Sequence, residues 1–217
     1  WRRNSVAQMQ SEFDYALLDE ETKTSWDLWV YLLERDERSE PFQRHGYIFG
    51  RGGPHASIPN FMINYHNVDD SADMHAYLAR LRASADVMNQ YLTRSRRAVE
   101  DGIRQPRFNY DYAIAEIARV SSGFPFTEEG SSPLWTDIQT KLATLQSSGA
   151  VSAREVEAFT ADARAALLET MKPAYDEVLA WLQSDRMNAS ADALGAWALP
   201  EGEAYYNNRL SIMTTLD

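Results

Sequence analysis

Between Ser71 and Glu100, apolar residues return every three or four positions: Met74, Tyr77, Leu78, Leu81, Ala85, Met88, Tyr91 and Leu92. That period lines one face of an α-helix and matches no strand, whose side chains alternate with a period of two. At roughly 30 residues and 1.5 Å per residue, such a helix spans about 45 Å. Asp70 precedes it as a cap, Asp73 favours its positive end, and Arg94, Arg96 and Arg97 gather at its negative end. Gly102 then supplies a stop. A chain that commits this much length to one amphipathic rod must find other helices to cover its stripe.

The rest of the sequence provides them. Ser152-Ala153-Arg154-Glu155 is a capping box, and Val156, Phe159, Ala163, Leu167, Met171, Tyr175, Val178, Leu179 and Leu182 continue its stripe. Pro173 lies inside that stretch and predicts a kink. Shorter helices are predicted from about Glu20 to Arg35, Tyr110 to Ser121 and Pro133 to Gln146, the last capped by Ser132. An N-terminal helix is predicted through Val6, Met9, Phe13 and Leu17. Residues 41–68 hold several glycines and prolines among aromatics and read as an ordered loop with a short helix near Phe61. Residues 184–204 read as small and polar, closing in a turn at Trp197-Ala198-Leu199-Pro200-Glu201-Gly202. No internal repeat and no run of alternating strand pattern is present. The predicted fold class is all-α, a bundle of long helices, with residues 1–217 forming one helical domain or the N-terminal part of a larger one.

Composition narrows the chemistry. The 217 residues carry 21 basic and 32 acidic side chains, a formal charge of −11, which disfavours a polyphosphate partner such as nucleic acid. With no cysteine, thiolate zinc sites, iron–sulfur clusters, disulfides and cysteine nucleophiles are excluded together. The longest stretch free of charged residues, Gly52 to Val68, is too rich in Gly, Pro, Asn and His to span a membrane. The chain opens at Trp1 without a methionine, so a processed piece is expected.

Few residues offer themselves for catalysis. The four histidines, His45, His55, His66 and His75, form no His-Glu-x-x-His pair, and satisfied or exposed imidazoles are the expectation. Gly50-Arg51-Gly52-Gly53-Pro54 lacks the Lys-Ser/Thr of a phosphate loop and shows neither a preceding strand nor an immediately following helix, so a tight turn is expected. The acidic pairs Glu20/Glu21, Asp69/Asp70 and Glu128/Glu129 sit at helix starts or turns, where capping accounts for them. Adjacent tyrosines Tyr205 and Tyr206 face different directions on a helix, so one can point into a cleft, although a buried pair with hydroxyls satisfied by backbone is the first expectation.

Three stretches together resemble the bacterial family catalogued as domain of unknown function 885. They are Gly52-Gly53-Pro54-His55-Ala56-Ser57-Ile58-Pro59-Asn60-Phe61 preceded by Pro41-Phe42; Asp69 to Leu81 with its run Tyr77-Leu78-Ala79-Arg80-Leu81; and Trp197-x-Leu199-Pro200-x-Gly202-Glu203-Ala204-Tyr205-Tyr206 followed by Thr214-Thr215-Leu216-Asp217. The resemblance implies a larger helical protein, often secreted or lipid-anchored, hence extracytoplasmic. It further implies likeness to helical zinc metallopeptidases whose His-Glu signature lies downstream of the tyrosine pair. No zinc ligand or general base of that signature falls on any residue here.

The reading that follows is an N-terminal wall of a helical, zincin-like substrate cleft. Zinc would belong to the full-length protein, and this chain would bind no metal and cleave no peptide alone. Its partners would be the C-terminal remainder of the same protein and a peptide, with Gly52, Gly53, His55, Tyr205 and Tyr206 as cleft candidates. Backbone donors at the glycines and a hydroxyl or imidazole donor would position the peptide. Trp181, Trp197 and Tyr205 are expected on an apolar face toward that remainder. The alternative is a non-catalytic helical binding or scaffold module.

Overall fold

The computed structural model describes residues 1–192 and 194–214. Its elements are α1 (Arg2–Glu12), α2 (Glu20–Ser39), α3 (Pro54–Asn64), α4 (Ser71–Glu100), α5 (Arg107–Val120), α6 (Pro133–Ser147), α7 (Ala153–Ala165), α8 (Lys172–Arg186) and α9 (Gly202–Thr214). Among the described residues no strand forms, and one isolated bridge joins Phe124 to Ser131. The all-α bundle is therefore the fold. The chain divides into two compact units, a central one of Tyr47–Leu194 and a terminal one of Trp1–Gly46 with Gly195–Asp217.

In the central unit the α4 stripe is the organising surface. α8 and the turn before it pack along α4, α5 lies on α8, α6 on α7, and α3 touches α4, α5 and α6. Tyr77, Leu81, Met88, Ile138, Leu167 and Val178 are all fully buried in one continuous apolar cluster. The predicted caps are in place: the Asp70 side chain accepts from Asp73 N at 2.9 Å, and Ser152 and Glu155 complete the capping box. Gly102 has φ +82°, the left-handed conformation that ends a helix.

Two prolines interrupt helices here, and each has its remedy. Ahead of Pro173, residues Ala166–Met171 form a π-helical turn, and Lys172 N donates to Leu167 O, five residues back. One wide turn joining α7 to α8 thus stands where the kink is predicted. Pro59 lies inside α3 and has no N–H for the carbonyl four residues earlier, that of His55. The Tyr175 hydroxyl donates to that carbonyl at 3.1 Å and replaces the missing donor.

The terminal unit is built differently. α1 packs on α2, and α9 packs on α2 and on the short turn Ala196–Ala198. Val6 is its one buried apolar side chain among the described residues. Trp1 meets Trp29 edge-on with centroids 5.6 Å apart, and Trp29 Nε1 donates to Ser5 at 3.2 Å. The N-terminal helix ends at Glu12, short of the predicted Leu17. Phe13 turns extended, and the Asp14 side chain accepts from Ala16 N to start a separate 3-10 turn, leaving Leu17 exposed.

Candidate functional site

The Gly50–Pro54 turn leads straight into α3, which corrects the expectation that no helix follows it. Gly53 is the N-cap and Pro54 the first helical residue, an order that suits a helix start. Gly53 has no room for a side chain: a Cβ there would stand 2.4 Å from Ile48 O and 3.1 Å from Gly50 O. Its N–H donates to Gly50 O at 3.0 Å and is committed within the turn. Gly52 adopts φ +69° with open space around it, so glycine is wanted there for backbone conformation alone.

His55 follows in the first turn of α3 and is fully buried. Its Nε2 lies 2.8 Å from Glu116 Oε2 on α5. Burial holds its pKa below the ordinary histidine value, while Glu116 pulls the other way. The ring is therefore neutral, with Nε2–H donating to the carboxylate, and Nδ1 is left as a buried acceptor without a partner. Phe49 and Gln105 complete the surroundings: the Gln105 amide donates to Phe49 O at 3.0 Å, and Phe49 packs against His55 with centroids 5.9 Å apart.

Of the predicted candidates, Gly52, Gly53 and His55 belong to the central unit, and the turn brings Gly53 against His55. Tyr205 and Tyr206 belong to the terminal unit. There Tyr205 stacks on His45 at 4.8 Å and leans on Phe42 at 5.9 Å. His45 Nε2 donates to Pro200 O at 2.8 Å, fastening residues 45 and 200 together. Tyr206 points elsewhere and is 54% exposed. Neither tyrosine hydroxyl has a hydrogen-bond partner among the described residues. Of the three aromatics expected on an apolar face, Trp197 is 78% exposed. Trp181 is partly buried against Phe49 and Tyr110, and Tyr205 is partly buried against His45.

A second polar cluster, which the sequence reading passed over, joins α4, α6 and the end of α3. Tyr77 donates to Asp137 Oδ2 at 2.9 Å, and Lys141 donates to Asp137 Oδ1 at 2.5 Å and to Ile63 O at 3.3 Å. Arg80 Nη1 lies 2.9 Å from His66 Nδ1. A guanidinium only donates, so Nδ1 is the acceptor and the His66 proton sits on Nε2. Burial and the nearby cations Arg80 and Lys141 keep His66 below its ordinary pKa. The spacings Tyr77-x-x-Arg80 and Asp137-x-x-x-Lys141 were the available signals, since each puts both residues on one helical face.

Among the described residues, no three His, Asp or Glu side chains gather where they could hold a metal ion. Nor is any helix among them long and apolar enough to cross a membrane.

A profile of the bacterial proteins of unknown function termed DUF885 matches residues 1–217. The chain belongs to that family. The crystal structure of the "putative lipoprotein from Colwellia psychrerythraea" is similar to this DUF885 chain over 79% of its residues, with a TM-score of 0.69 and 18% sequence identity. At that identity the likeness concerns the fold. The DUF885 chain spans 28% of the length of that neighbour. No curated protein matches it.

Proposed function

We propose that this chain is the metal-free helical portion of a larger, extracytoplasmic protein, forming one wall of the substrate cleft of a zinc-dependent peptidase. The catalytic zinc motif would lie outside these residues, in the C-terminal remainder of the same protein, and the substrate would be a peptide. One observation supports the placement within a larger protein, a fold matching 79% of this chain and 28% of a much longer neighbour, while the peptidase role rests on the family resemblance. A lipoprotein name on that neighbour supports an extracytoplasmic or lipid-anchored setting. In this role Gly52, with open space around it, is the candidate of the central unit able to face a peptide, and the exposed Tyr206 is a separate candidate on the terminal unit. Buried His55 and internally bonded Gly53 would hold the turn.

The test uses the longest natural protein that contains this chain, purified beside residues 1–217 alone. The reading expects about one zinc per molecule after dialysis and cleavage of a fluorogenic peptide library from the long form only. A tightly held zinc in residues 1–217 would overturn it. A long form free of zinc and without cleavage would favour the alternative, a non-catalytic binding module. That alternative has its own support in the apolar groove between α3 and α4.

A further inference from the structure

A groove of about 330 Å³ runs between α3 and α4 within the central unit. Ile58, Phe61 and Met62 of α3 face Ala83 and Val87 of α4 across it, with Arg80 at one end. Its walls offer little that is polar: Ser57 and Ser84 also border it, and the Ser84 hydroxyl is spent on Leu81 O at 2.6 Å. A ligand filling the groove must therefore be apolar along its body. The volume suits about a dozen heavy atoms at roughly 30 Å³ each.

A charge stands at the rim, beside the apolar wall. Arg80 is exposed, lies over the Phe61 ring at 5.6 Å and spends one nitrogen on His66. It makes no ion pair among the described residues, in a chain of net charge −11. The carboxylates near its imidazole partner are already engaged. Asp137 is held by Tyr77 and Lys141, and Asp73 accepts from Asp69 N at 3.0 Å. Because His66 stays neutral, its ring adds no second positive charge beside the guanidinium, and its Nδ1 accepts from Arg80 and holds it in place. The remaining guanidinium donors form a fork suited to a carboxylate.

We propose that this groove binds a carboxylate-headed alkyl chain of about eight to ten carbons, its tail along Ile58, Phe61 and Val87 and its head on Arg80. The inference is independent of the peptidase reading, because the groove lies within one unit and the assay reads binding alone.

Isothermal titration of the 217-residue chain with sodium decanoate tests it, with decan-1-ol as the tail without charge and sodium acetate as the charge without tail. Decanoate is expected to bind saturably at one site and acetate not at all. Arg80→Gln should weaken decanoate about tenfold while leaving decan-1-ol unchanged. Ala83→Phe, which fills the groove from an exposed position, should abolish both. Circular dichroism and Tm identify any variant that fails to fold, and either folded variant by itself gives a reading. No saturable binding of decanoate to the unmodified chain would overturn the proposal. So would decanoate binding that survives both substitutions in folded protein.

Discussion

α4 and α2 are the two longest helices, 30 and 20 residues, yet α4 buries ten side chains and α2 buries none. Both begin with an aspartate that caps the first turn, Asp70 and Asp19. Their local signals are alike, and the difference lies in what each stripe meets. α4 is covered by α3, α8 and the π-helical turn, whereas α2 packs chiefly on α1, α9 and a short 3-10 turn in its unit. A helix can thus be well specified locally while its tertiary support is thin. The terminal unit relies on Trp1–Trp29, Trp29–Ser5, His45–Pro200 and surface ion pairs such as Arg3–Glu37. Exposed pairs of that last kind contribute little.

Truncations separate the two regimes most sharply. Ile138→Ala in the central cluster should cost about 2–5 kcal/mol, because the closely packed site around it cannot collapse onto the cavity. Val6→Ala in the terminal unit should cost only about 1–2 kcal/mol, close to the transfer term alone. Urea denaturation of each variant measures both. Equal costs would erase the contrast.

A smaller effect isolates the bond between α3 and α8. Tyr175→Phe keeps the ring and removes the donor to the His55 carbonyl, so it should cost about 1–3 kcal/mol. Pro59→Ala restores a backbone N–H to that same carbonyl and should lower the cost of Tyr175→Phe in a double-mutant cycle. Additive losses would mean that the hydroxyl does not stand in for the proline.

The smallest effect is a pH slope. His55 and His66 both have folded-state pKa values below the ordinary histidine value. Protons then bind the unfolded chain more readily, so stability is full above about pH 6.5 and declines as pH falls below it. Tm recorded from pH 8 to pH 5 should show this decline, and His55→Gln should make it shallower. A slope unchanged by that substitution would remove His55 from the account.

Much of the central unit was legible because its signals are local. Asp70, Ser132 and Ser152 cap where their sequence context predicts, and the period of α4 marks most of its buried face, with Tyr91 only partly buried and Ser84, Ser95 and Ala98 added to it. α3 was harder. Gly53-Pro54 marks a helix start, but Pro59 five residues later argues against a helix, and only a hydroxyl 116 positions further on, at Tyr175, resolves the conflict. Phe13 and Leu17 continue the period of α1, yet Asp14 bonds locally and ends it. The site was less legible still. Nothing near His55 points to Glu116, 61 positions away, and nothing near His66 shows that Arg80 holds it. Pairings of that reach are made by tertiary packing, which a period along one helix does not encode.

Native-state hydrogen exchange on the intact chain, read by mass spectrometry, tests the contrast between the units directly. Amides that depend on buried packing open only with the whole unit, whereas thinly supported helices open locally. The account predicts slow exchange in α4, α6 and α8, and exchange faster by orders of magnitude in α1, α2 and α9. Uniform protection across all nine described helices, or stronger protection in α2 than in α4, would contradict it.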